Sequence, residues 1–409
     1  MPQTMSSIPD PLVMNDGTRV TSVEQWRAKR RPEIVTLLTR EMYGVSPAPT
    51  KLATEIFDED RNALGGKATR RQVAFYWTGD KAGPRMDLLI YLPSDAKEPV
   101  PVIFGLNFWG NHAVTADPGV RLTTNYVEAK PNGFVDPSGL QQHHATDASR
   151  GIDAKRWSIE QMLARGYGFA TAYRGDIDPD LAKPADLPDG FFPGIKSLFP
   201  ELQNRDDNFG TVAAWAWACS RVMDYLQTDR DVDAQRVALF GWSRLGKAAI
   251  WAAANDERFA LLISSEAGAG GATLFHHNVG ENIQRLTTIF PHWYARNFAK
   301  YAGRETTMPF DQHFALALVA PRPVYVASSE GSTIFDPIGE FQGLKYAEPV
   351  WILCGKTGIP ADDLPPLDQP SIGYLAYHRR TGKHDVLPFD WQHYLDFCDR
   401  HLKAPNVDR

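Results

Sequence analysis

The stretch Arg236-Val-Ala-Leu-Phe240-Gly241-Trp242-Ser243-Arg244-Leu245-Gly246-Lys247-Ala248-Ala249-Ile250-Trp251 decides how this 409-residue chain is read. A short apolar, β-forming run leads into a glycine-flanked serine, and an alanine-rich helical pattern follows at once. A serine at such a strand-to-helix turn is forced into a strained backbone conformation, and its neighbours must be small because the chain doubles back on itself. The hydroxyl is then lifted above the end of a sheet, next to helix N-terminal N–H groups that favour a developing oxyanion. The usual form is G-x-S-x-G; here the second glycine falls one place later, at Gly246. The same residues nearly spell the phosphate loop G-x-x-x-x-G-K, but the next residue is Ala248, so the hydroxyl that would hold magnesium is missing. An ordinary strand–turn–helix with an incidental serine is the third reading.

Outward from this stretch, short apolar runs alternate with helical patterns. The runs are 101–106, 168–173, 236–240, 261–264, 323–327 and 372–377, and the helix candidates are 157–165, 210–227, 244–254 and 389–402. Fully apolar strands separated by helices predict parallel β-α-β units covered on both faces, a three-layer αβα sandwich around a mostly parallel sheet. Residues 70–93 alternate instead and predict antiparallel strands, preceded by an amphipathic helix over 23–43 that ends at Gly44 and Pro47. Residues 1–20 read as an extended leader and 21–409 as one catalytic domain. Two long segments, about 112–152 and 178–208, are rich in Gly, Pro, Asp and Asn and read as functional loop insertions.

Composition narrows the function classes. With 43 Lys and Arg against 49 Asp and Glu, the net charge is −6, and there is no basic run, so nucleic acid is not an expected partner. No stretch is long and apolar enough to span a membrane. The N-terminus has neither the basic start nor the apolar core of a signal peptide. The three cysteines, Cys219, Cys354 and Cys398, are too far apart for a zinc cage and allow at most one disulfide.

A nucleophilic serine needs a base and an orienting acid, and in the α/β-hydrolase fold these follow in the order Ser, Asp or Glu, His. Glu266 ends the apolar run Leu261-Leu-Ile-Ser-Ser265 and precedes Gly268-Ala-Gly270-Gly271. Among eleven histidines, His378 falls within a predicted strand, His393 and His401 on the last helix, and His143-His144 and His276-His277 in loops. His384, in Arg379-Arg380-Thr-Gly382-Lys383-His384-Asp385, lies between the last predicted strand and the last helix, where that fold carries its base.

The chain resembles the bacterial glucuronoyl esterases, carbohydrate esterase family 15. The resemblance rests on Leu106-Asn-Phe-Trp-Gly-Asn-His112, Ala172-Tyr-Arg-Gly-Asp-Ile-Asp-Pro179, Ala214-Trp-Ala-Trp217 and Gly241-Trp-Ser-Arg-Leu-Gly-Lys247. It continues through Phe290-Pro-His-Trp293, Ala320-Pro-Arg-Pro-Val-Tyr-Val-Ala327, Asp336-Pro-Ile-Gly-Glu-Phe341 and Gly382-Lys-His-Asp385. It implies an α/β-hydrolase that cleaves the ester between 4-O-methyl-glucuronate side chains of glucuronoxylan and lignin alcohols, without metal or organic cofactor, in a secreted or periplasmic setting. By matching motif positions, Ser243 is the nucleophile, His384 the base, Glu266 the acid and Arg244 the oxyanion donor. Lys247 and Glu281 bind the sugar.

The sequence departs from the family pattern at three places. Many bacterial members carry an acid where Ser332 stands and a sugar-stacking tryptophan where Ile334 stands, and the residue before the serine is here Trp242. Glu266 is then the family-supported acid, with Glu330 and Asp336 as fallbacks. A general carboxylesterase or acetyl esterase, and a glucuronoxylan-binding relative with weak or no turnover, are the alternative readings.

Overall fold

A computed structural model describes residues 8–50, 52–128 and 140–403. Ten strands form one sheet: β1 (Ala53–Asn62), β2 (Ala68–Tyr76), β3 (Arg85–Pro93), β4 (Val100–Asn107), β5 (Gly168–Tyr173), β6 (Val232–Trp242), β7 (Leu261–Ser265), β8 (Val324–Ser329), β9 (Ser371–Ile372) and β10 (Leu375–Arg380). Their spatial order is β1-β2-β3-β5-β4-β6-β7-β8-β10-β9. Pairing is parallel from β5 through β4, β6, β7 and β8 to β10, and antiparallel at both ends. Every residue of β4, β5, β7 and β8 is buried, as is the second half of β6. That is why they read as unbroken apolar runs rather than alternating ones.

The main helices are α1 (Arg31–Leu38), α2 (Ile159–Ala164), α3 (Thr211–Leu226), α4 (Arg244–Asn255), α5 (Ile283–Ile289), α6 (Gln312–Ala317), α7 (Pro337–Ala347) and α8 (Pro388–Cys398). The alanines of α4 are buried, and it packs on α3 and on β6, where small side chains permit close approach. Among the described residues, no helix is long and apolar enough to cross a membrane. Buried apolar side chains from Leu12 to Leu402 belong to one cluster.

Several expectations need correction in detail. The region 23–43 is helical but not one α-helix: π-helical turns at Trp26–Arg30 and Thr39–Tyr43 flank α1. The run 372–377 divides into β9 and the start of β10, paired antiparallel. Strand β1 has no counterpart in the sequence reading, because its Asp, Glu and Arg residues show no apolar face; cross-strand ion pairs hold it instead. Helix α7 was hidden by its two glycines, and its start is set by the Asp336 side chain accepting the Gly339 N–H (3.0 Å). Residues 8–20, read as extended, turn back through a bridge between Val13 and Arg19 and bury Leu12, Met14 and Val20. All three cysteines are free thiols.

Register brings the chemistry together. Trp242 on β6 pairs with Ser265 on β7, Ser265 with Ala327 on β8, and Ala327 with His378 on β10. Ser243 and Glu266 therefore leave the sheet at the same level, at the carboxyl ends of neighbouring strands. The loop after β10 carries His384.

Candidate active site

Ser243 has φ 57° and ψ −132°, a sparsely populated conformation for a residue with a side chain. Its N–H donates to the Ser265 carbonyl (2.9 Å), which anchors the turn to β7, and its own carbonyl accepts from Gly246 (2.8 Å) to begin α4. The two glycines are required by space. A Cβ at Gly241 would lie 2.3 Å from the Leu245 carbonyl oxygen, and one at Gly246 would press on Ala267 at 3.0 Å. The second glycine can stand at 246 rather than 245 because it is the residue that meets the neighbouring β7 connection.

Glu266 is also held at positive φ (48°), and its carboxylate is buried. Oε2 lies 2.9 Å from His384 Nδ1 and accepts the hydroxyls of Ser329 (2.5 Å) and Ser332 (2.6 Å). Oε1 accepts Arg380 Nη2 (2.9 Å) and the Asp385 N–H (3.2 Å). A carboxylate facing Nδ1 fixes the tautomer of the imidazole, so that Nε2 is the nitrogen able to accept a proton. The His384 ring is stacked on Trp242 at 4.7 Å between centroids and covered by Phe335 at 4.4 Å. The residue before the serine thus forms a flat wall behind this imidazole.

Beside the serine, Arg244, Lys247, Glu281, Arg285, Ile289, Phe290, Trp293, Ile334 and Phe335 line a pocket of about 300 Å³. Arg244 sits over the Trp293 ring at 5.0 Å and ion-pairs through Nη1 with Asp180. Asp180 is fully buried and also ion-pairs with Arg174 (3.0 Å), while its Oδ1 accepts His292 Nε2 (2.8 Å) and Trp293 Nε1 (2.6 Å). Burial opposes its charge, but Arg244 and Arg174 outweigh burial and hold the carboxyl well below the usual carboxylate range. Lys247 donates to the Ala269 carbonyl and lies 3.2 Å from Glu281 Oε2. Its burial pushes the ammonium pKa down, against the pull of Glu281.

Comparison with known proteins matches this architecture. The family profile described as glucuronyl esterase of fungi matches residues 194–355. A carbohydrate esterase from an unknown prokaryotic organism is 43% identical over 399 residues, covering 97% of this chain and 90% of its own length. This chain belongs to carbohydrate esterase family 15. Among solved structures, a glucuronoyl esterase from Solibacter usitatus is 46% identical with a TM-score of 0.88 and covers 97% of both chains. A promiscuous CE15 esterase from a marine bacterial metagenome is 42% identical, again with a TM-score of 0.88 and 97% of both chains covered.

In this family-15 esterase the residues singled out from sequence fall into two groups. His384 and Glu266 are in hydrogen-bond contact, and Ser243, Arg244, Lys247 and Glu281 line one pocket. Of the fallback acids, Glu330 is exposed, and Asp336 caps α7 and binds His277 Nδ1. Ser332, which stands where relatives carry an acid, is a donor to the Glu266 carboxylate. Sequence reasoning missed Asp180, Arg174, His292, Trp293 and Arg380 as site residues. The segments ending at Pro179 and Trp293 carried the family resemblance, yet nothing in their spacing shows that they meet around one carboxylate.

Proposed function

We propose that this esterase hydrolyses esters of 4-O-methyl-glucuronate, joined in glucuronoxylan to lignin alcohols, through a Ser243–His384–Glu266 triad and a glucuronoyl-enzyme intermediate. The observation that carries the reading is the pairing of Lys247 with Glu281 in the same pocket as the strained serine. The pair offers a donor and an acceptor side by side, the recognition that vicinal sugar hydroxyls require. Relatives named 4-O-methyl-glucuronoyl methylesterase support the substrate class; that of Phanerochaete carnosa is 25% identical over 87% of this chain and 74% of its own.

In this reaction Ser243 Oγ attacks the C6 carbonyl while His384 Nε2 takes its proton. The oxyanion is held by Arg244 through its N–H and guanidinium, and such a donor contributes about 3 kcal/mol to the barrier reduction. His384 protonates the departing alcohol, and water then resolves the acyl-enzyme by the reverse sequence. Action on a plant polymer places the working enzyme outside the cytoplasm. A panel of benzyl glucuronate, its galacturonate epimer and phenyl acetate tests the proposal. Preference for the glucuronate, lost in Lys247→Ala, supports it. Equal turnover of all three, indifferent to Lys247→Ala, supports a general carboxylesterase, a reading favoured by the aliphatic Ile334 on the pocket wall.

A further inference from the structure

One buried guanidinium touches both Glu266 and the loop that carries His384. Arg380 closes β10 with its side chain 2% exposed. Its Nη2 donates to Glu266 Oε1 (2.9 Å) and to the backbone carbonyl of Asp385, the residue after His384. Its Nε donates to both oxygens of Asp390 (3.1 and 2.9 Å), a buried acid in the first turn of α8. Asp390 accepts in turn from the Leu387 N–H (2.7 Å), at the end of the loop that carries His384, and lies 2.8 Å from His378 Nε2. His378 Nδ1 reaches the Tyr325 hydroxyl at 2.9 Å. The chain of contacts runs from β8 through β10 to the acid, and from the acid to the loop of the base.

This arrangement answers a mechanical need. His384 belongs to no helix or strand; the loop 381–387 includes Gly382 at φ 112°. Segments of that kind are the least rigid in a protein unless buried polar groups tie them down. A guanidinium is planar and reaches several acceptors at once in fixed directions, whereas an ammonium acts as a point charge. The other titratable groups around the pair are Asp385, which binds Arg156 and faces Lys155 at 3.7 Å, and Glu340, bound to the Gly268 N–H behind Glu266. Asp385 also reaches the Glu266 carboxylate, through its backbone N–H (3.2 Å), and Arg380 is the side chain that bridges that carboxylate and the loop backbone.

We propose that Arg380 is a positioning residue for hydrolysis: its fork fixes the Glu266 carboxylate and the His384 loop relative to each other. The inference rests on the triad reading above. Because Arg380 lines neither the serine nor the sugar pocket, its loss is read in kcat rather than KM. The decisive variant is Arg380→Lys, which keeps the charge and removes the fork. It should fold with a lowered melting temperature, because one ammonium cannot make all of the fork's buried contacts, and lose about tenfold or more in kcat on benzyl glucuronate at nearly constant KM, since small misplacements of catalytic groups carry losses of that order. Arg380→Ala should lose more, and added guanidinium should restore part of its activity. A folded Arg380→Lys with wild-type kcat, a change confined to KM, or failure of Arg380→Lys to fold would make the residue structural and overturn the proposal. Ser243→Ala in the same assay separates the two readings: if it abolishes turnover while Arg380→Lys is unaffected, only the positioning role falls, whereas retained turnover in Ser243→Ala removes the triad itself.

Discussion

Replacing Asp180 by Asn is the sharpest probe of how the pocket is built. The substitution conserves shape, and a carbonyl in the place of Oδ1 still accepts from His292 and Trp293. The amide nitrogen then faces the guanidinium groups of Arg174 and Arg244, donor against donor, where Oδ2 had ion-paired with both. Arg174 is 1% exposed and Arg244 9%, so neither finds water in exchange. Removing one partner of a buried ion pair costs about 3–5 kcal/mol. Unfolding entropy near 2.1 cal/mol/K per residue, over 409 residues, converts this to a melting decrease of about 4–6 °C. Activity should fall further than stability suggests, because Arg244 loses its anchor; loss of an oxyanion donor lowers kcat about 100- to 1,000-fold. Calorimetry and steady-state kinetics on benzyl glucuronate measure both. An Asp180→Asn protein that melts with the wild type and keeps its kcat would refute the claim that this carboxylate organises the cationic wall.

Ser243→Ala should abolish hydrolysis while leaving the circular dichroism spectrum and melting temperature close to wild type, since the helix and strand around it are held by backbone bonds. Glu266→Gln should reduce kcat by about 1,000-fold or more, by analogy with triad acids, and its amide nitrogen would oppose Arg380 or His384; retention of turnover would remove Glu266 from the acid role. Glu340 gives a pH signature: burial pushes its carboxyl up to about 8, with Glu266 adding to the shift. The folded protein therefore holds this proton more tightly than the unfolded chain, so the group's contribution to stability is full at low pH and declines as pH rises from about 4.3 toward 8. Urea midpoints of Glu340→Gln across that range should fall less steeply with pH than those of the wild type.

Most of the sheet was legible because parallel strands buried on both faces leave an apolar signature that hydrophilic chemistry cannot mask. The run 168–173 coincides with β5, and 236–240 lies inside the longer β6, whose first half is partly accessible. What escaped was structure held by polar contacts. Strand β1 has no apolar stripe, and α7 is interrupted by Gly339 and Gly343 and depends on one cap. The site divides the same way. The elbow serine carries its own local signature, and chain order ranks the acid and the base. Asp180 and Arg380 act through partners 64 and 114 residues distant, Arg244 and Glu266, and no local pattern records such meetings. Ser332 was read from sequence only as a position without an acid; that its hydroxyl donates to the Glu266 carboxylate is visible only in the folded chain.

The two margins of the sheet bear on how this esterase behaves at high concentration. Its outermost strand on one side, β1, shows solvent a row of acidic and basic groups pinned by Arg70 and Arg71, and on the other side β9 is two residues long. Neither margin offers a long, neutral template on which a second molecule could stack its backbone, so growth of the sheet into fibrils or open polymers is blocked at both ends.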